Sequence, residues 1–117
     1  MQKVYYLATC DTCKRIIKEV GLPTSFEKQE IKNEEITVKQ LEKLHSLAGS
    51  YEALFSKRAK LYKERNLKNE KLEERDYRNM ILEHYTFLKR PVIVNGSEIF
   101  IGNSKKTVDA AKISINS

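Results

Sequence analysis

The stretch Tyr5-Tyr6-Leu7-Ala8-Thr9-Cys10-Asp11-Thr12-Cys13-Lys14-Arg15 constrains the fold more than any other part of the chain. An apolar run of strand length leads into a short polar turn, and the turn leads into a helix. Both cysteines of the protein sit at that turn, spaced Cys-x-x-Cys. After a strand and at the start of a helix, this spacing is the arrangement of thiol redox chemistry. A helix N-terminus offers free backbone N–H groups and a partial positive charge, which favour a thiolate over a thiol. The thiolate is the nucleophile, so the placement raises reactivity at neutral pH. Lys14 and Arg15 add positive charge, and Asp11 opposes them. Cys10, at the turn, is expected to be the exposed attacking thiol. Cys13, about one turn into the helix, is expected to be the less exposed resolving thiol. The alternatives are an inert pair of small residues or half of a zinc site. Structural zinc takes four ligands, and the only other Cys or His residues are His45 and His84. These lie far apart in sequence and in no ligand-like spacing, so no metal is expected.

A length of 117 residues suits one compact domain. The sequence holds no apolar run long enough to span a bilayer, and its first residues lack a signal-peptide pattern. A cytoplasmic location is therefore expected, where closely spaced cysteines are catalytic or redox-sensing rather than structural staples. The net charge of +6, from 22 basic and 16 acidic residues, permits anionic partners without demanding them. The densest basic stretch is Lys57-Arg58-Ala59-Lys60 with Lys63 and Arg65. No aromatic residues interleave it as in a nucleic-acid surface, so direct binding to DNA or RNA is not expected.

Residues 3–7 are rich in β-formers and predict a buried first strand. Residues 13–20 carry Ile16, Ile17 and Val20 at helical spacing, and Gly21 with Pro23 stops that helix. Residues 25–31 predict a second strand, parallel to the first through a right-handed crossover. Thr37-x-x-Gln40 is a capping box and opens a helix whose apolar side is Val38, Leu41, Leu44 and Leu47. A helical turn over 51–55 and a helix over 56–65, with Leu61 and Tyr62 inside, follow, then a break at 66–69. Residues 72–85 predict a helix with Tyr77, Met80, Ile81 and His84 on one face. His84 is expected at its C-terminal end, where a cation suits the helix dipole. Residues 92–94 predict a short buried strand, Asn95-Gly96 a hairpin turn, and 98–101 the antiparallel return. A last helix over 105–113 places Val108 and Ala111 inward. The class is α/β, in the order β-α-β, helical insertion, β-β-α. It forms a single domain over 1–117 with the insertion at about 37–85.

This order, with Cys-x-x-Cys after the first strand, resembles the thioredoxin fold with a central mixed four-stranded sheet. Three stretches narrow the resemblance to the arsenate reductase (ArsC)/Spx family. They are Cys10-Asp11-Thr12-Cys13, Ser56-Lys57-Arg58, and Lys89-Arg90-Pro91-Val92-Ile93-Val94. The resemblance implies that Cys10 is the family's nucleophile. It implies that Pro91 is the proline that is cis beside the thiols. It implies that Arg58 and Arg90 surround an oxyanion, since an arginine fork matches a tetrahedral oxyanion and stays charged.

The chain also departs from the arsenate reductase pattern. Tyr6 stands where a histidine typically precedes the nucleophile, and Cys13 stands where serine is usual. Ile101-Gly102-Asn103 stands where a third arginine follows the last strand. Cys13 and the Ile-Gly-Asn ending look more like Spx-type regulators. Two functions follow as expectations. One is an arsenate reductase-like thiol oxidoreductase acting on a small oxyanion or a thiol/disulfide substrate. It would have no bound cofactor and an external thiol donor such as glutathione, glutaredoxin or thioredoxin. The other is an Spx-type redox-switched regulator that binds RNA polymerase. A monomer is expected in either case.

Overall fold

The computed structural model of the protein describes residues 1–117. The chain divides into two compact units: Met1–Glu34 with Arg90–Ser117, and Glu35–Lys89. The second unit is thus one continuous stretch inserted between the second and third strands.

The first unit holds the sheet. Strand β1 (Gln2–Tyr6) pairs parallel with β2 (Glu27–Glu30) and antiparallel with β3 (Val92–Asn95), and β3 pairs antiparallel with β4 (Glu98–Ile101). The order is β2-β1-β3-β4, the mixed four-stranded sheet that the sequence predicts. Helix α1 (Asp11–Val20) joins β1 to β2, and α5 (Lys105–Ile115) follows β4. The core lies between α1, α5 and one face of the sheet. Val4 and Ile93 from the strands meet Ile16 and Val20 of α1, Val108 and Ala111 of α5, and Phe26. Alternation along each strand sends Tyr5, Gln29, Val92 and Val94 to the opposite face, where they too are buried. Lys3 shares that face; its ammonium lies 3.8 Å from Glu27 and over the Tyr5 ring.

Several boundaries differ from the sequence expectation, each for a local reason. Helix α1 begins at Asp11 rather than Cys13, with Cys10 as its N-cap. Strand β2 is shorter than 25–31 because a turn closes at Phe26 N–H to Pro23 O before it. After it, the Glu30 carboxylate curls the chain by accepting from Lys32 and Asn33 N–H. Asn95 stays in the ladder, paired with Glu98, so the hairpin loop is Gly96-Ser97. Gly96 has φ +66°, a conformation that suits glycine at the turn. Helix α5 runs two residues further than 113, capped by Ser104, whose side chain accepts from Thr107 N–H.

The second unit contains α2 (Val38–Ala48), α3 (Lys60–Glu64) and α4 (Glu74–Glu83), with 3-10 turns at Glu52–Leu54, Leu67–Asn69 and Tyr85–Phe87. The expected Thr37–Gln40 capping box opens α2. Its inward side is Leu41 and Leu44. Val38, at the first helical position, is exposed instead, and Leu47 is only half-buried. The expected helix over 56–65 reduces to five residues. Residues 56–59 form a turn instead, tied down as Ser56 N–H donates to Phe87 O. Leu61 and Tyr62 are half-buried rather than internal. Helix α4 is shorter than 72–85, because Glu73 and Asp76 form an unforeseen capping box at its start. At its end His84 is extended, and its Nδ1 accepts from Thr86 N–H. His84 thus stands at the C-terminal end of α4, as expected, its N–H donating to Met80 O, and it also caps the turn that follows. Phe55 anchors this unit: its ring lies 5.2 Å from Phe87 and 4.8 Å from Tyr77, centroid to centroid.

Candidate active site

The end of β1 feeds a tight turn. Cys10 N–H donates to Leu7 O at 3.1 Å, and Lys14 N–H donates to Cys10 O at 3.2 Å as the helix begins. Cys10 is thereby both the last residue of the turn and the N-cap of α1, with extended backbone angles. It is half-exposed, whereas Cys13, in the first turn of the helix, is fully buried. Both are free thiols.

The environment drives the two thiols in opposite directions. Partial burial raises the Cys10 pKa, but four groups outweigh it. These are the backbone N–H of Cys13, the Cys13 thiol, the Arg90 charge and the N–H of Thr12. The net result lies below the ordinary thiol value. Burial dominates at Cys13 and pushes it up to about 11, with the neighbouring Cys10 adding to the rise and the Arg90 charge opposing it. A helix start, a nearby cation and a Cys-x-x-Cys partner each stabilise a thiolate, and Cys10 has all three.

Arg90 reaches this place through the strand register. Tyr5 pairs with Val92, so Arg90 and Pro91 precede β3 at the sheet end where β1 runs out. The Arg90–Pro91 bond is cis, as the resemblance implies. Gly102 N–H donates to Pro91 O at 2.9 Å, bringing the Gly102-Asn103-Ser104 segment to the same sheet end. Arg58 lies in the second unit, exposed, in the turn ahead of α3.

One residue of this region is not marked by any motif. Glu30, the last residue of β2, accepts from Ala8 N–H at 2.8 Å through Oε2. Its Oε1 accepts from Lys32 and Asn33 N–H. It therefore pins the turn that ends at Cys10. Burial opposes ionisation of Glu30, but these three amide donors and the Lys32 charge outweigh it and hold its carboxyl below the ordinary value. In the sequence it is one of many charged residues among Lys and Glu. Only the run Glu30-x-Lys32-Asn33, a carboxylate ahead of a turn, hints at its role.

Solved structures with the same fold include an arsenate reductase from Vibrio cholerae, 18% identical, with a TM-score of 0.72. That match covers 97% of this chain and 98% of that one. An arsenate reductase (ArsC) related protein from Brucella melitensis is 17% identical, with a TM-score of 0.69, over 93% of this chain and 92% of that one. A protein of Staphylococcus aureus COL is 25% identical, with a TM-score of 0.72, over 94% and 97% of the two chains. No curated protein sequence matches the chain. The ArsC family model matches residues 5–111, from β1 and the cysteine turn through the sheet to α5, and the chain belongs to the ArsC family.

Proposed function

We propose that the protein is a thiol-dependent oxidoreductase in which Cys10 attacks and Cys13 resolves. The observation that carries this reading is the contrast within one helical turn. Cys10 is half-exposed at the N-cap of α1 and acidified, while Cys13 is fully buried and held protonated.

The chemistry follows for a disulfide substrate. The Cys10 thiolate attacks one substrate sulfur, a Cys10–substrate disulfide forms, and the substrate S–S bond breaks. The leaving sulfur takes the electron pair and is protonated from water. Cys13 then loses its proton to solvent and attacks the Cys10 sulfur, releasing the second substrate thiolate. The substrate has gained two electrons, and the protein is left with a Cys10–Cys13 disulfide. An external dithiol reduces that bond and closes the cycle. Arg90 supports the first step by favouring the charged form of Cys10, and its guanidinium suits an anionic substrate group. The family resemblance adds Arg58 as a second anion contact, arsenate as a substrate and a thiol such as glutathione as the donor.

A reductant-coupled turnover assay with arsenate and with small disulfides tests this reading, with Cys10→Ser as control. Turnover that vanishes in Cys10→Ser supports it. Wild-type protein that turns over neither substrate overturns it.

A further inference from the structure

An open groove of about 420 Å³ runs along α1, on the side of the sheet where β1 and β2 pair. Ile17, Leu22 and Tyr6 form its floor, and Lys14, Lys18 and Lys28 form its walls. The floor is firm because these three side chains pack against the unit's core. No Asp or Glu lines the groove. The volume falls in the range of ligand clefts.

The groove is aligned with the cysteine. Lys14, Ile17 and Lys18 stand four, seven and eight residues after Cys10, which places them on the helix face that Cys10 heads. The three lysines are exposed, and none of them takes part in an ion pair. Lys14 and Lys18, one turn apart, repel each other. A carboxylate-bearing ligand relieves that repulsion, and clefts of one sign concentrate the opposite charge.

We infer that this groove binds an acidic segment of a partner protein whose disulfide Cys10 reduces; the inference rests on the thiol oxidoreductase reading above. The apolar floor takes an aliphatic or aromatic side chain of the segment, and the lysines take its carboxylates. The groove then delivers the neighbouring disulfide to the head of α1.

The test uses disulfide-bearing peptides with acidic, neutral or basic flanks and three full-length proteins. These are wild type, the groove variant Lys14→Glu/Lys18→Glu/Lys28→Glu, and a charge control, Lys43→Glu/Lys106→Glu/Lys112→Glu. The control carries the same net charge as the groove variant and changes only exposed lysines outside the groove. Wild type and control are expected to reduce the acidic peptide about tenfold faster than the basic one, and the groove variant to lose or reverse that preference. Equal loss in both variants, or no preference in wild type, overturns the groove. The same peptides with serine in place of cysteine separate docking from thiol chemistry. By fluorescence anisotropy the acidic serine peptide should bind wild type and control, and bind the groove variant about tenfold more weakly. Equal binding to all three overturns the groove even if disulfide reduction itself is absent.

Discussion

Burial raises the pKa of Cys13, and its thiol, donating toward the Cys10 sulfur, adds to that rise and joins the Cys13 amide and Arg90 in lowering the pKa of Cys10. The donor of a hydrogen bond keeps its proton and the acceptor becomes easier to ionise. The pair is therefore polarised before any substrate arrives. The buried member stays protonated at neutral pH.

The polarity has a direct pH signature. Alkylation of Cys10 by iodoacetamide should rise with pH with a midpoint below the ordinary thiol value, while Cys13 stays unmodified until the pH approaches about 11. Peptide mapping of the singly alkylated protein locates the modified sulfur. Replacing Cys13 with Ala removes its hydrogen bond and should shift the Cys10 profile to higher pH.

Arg90→Ala should also move the Cys10 profile upward, because its charge favours the thiolate. It should weaken arsenate or phosphate binding by about tenfold or more, the worth of one charge-assisted hydrogen bond. Calorimetry on wild type, Arg90→Ala and Arg58→Ala measures both proposed anion contacts. Anion binding that is unchanged in Arg58→Ala removes that residue from the assignment.

Glu30→Ala strips acceptors from Ala8, Lys32 and Asn33 N–H. Solvent replaces part of what is lost, so a cost of about 1–2 kcal/mol is expected in urea unfolding at neutral pH. The Cys10 alkylation rate should fall with it, since the turn that sets the N-cap is loosened. The folded-state pKa of Glu30 is depressed, so its contribution is complete above the unfolded-state value, near 4.5. It is lost as pH falls through the folded value. The stability gap between wild type and Glu30→Ala should therefore shrink in acid; a gap that grows in acid contradicts the assignment.

In the second unit, Phe55→Ala empties a fully buried position stacked on Phe87 and tilted against Tyr77. A loss of about 3–5 kcal/mol is expected for such a truncation. Chemical unfolding followed by tyrosine fluorescence measures it.

The sequence shows what depends on periodicity and on residues with one conformational use. The strand–turn–helix at Cys10, the helix stop at Gly21, the Thr37–Gln40 box and the hairpin near Gly96 all fall where local chemistry places them. The elements that moved are those decided by tertiary or side-chain hydrogen bonds. Strand β2 ends where Glu30 turns its carboxylate onto the amides that follow. Residues 56–59 are held as a turn by a bond to Phe87 O. In the site, the cysteine pair is legible because cysteines are rare and their spacing is meaningful, and Pro91 is legible through the family resemblance. Glu30 was not, because a charged residue at the end of a strand looks the same whether it faces water or three amides.

The central claim, that Cys10 attacks and Cys13 resolves, is tested most directly by trapping the intermediate. Cys13→Ser and Cys10→Ser proteins are mixed with a small disulfide such as dithiodipyridine, and the intact masses are read. Cys13→Ser should hold one stable mixed disulfide, mapped to Cys10. Wild type should pass through that adduct and end lighter than its reduced form by two hydrogens, with Cys10 and Cys13 joined. A stable adduct on Cys13 in Cys10→Ser formed at a comparable rate, or wild-type protein that keeps its adduct without closing the Cys10–Cys13 bond, would contradict the assignment.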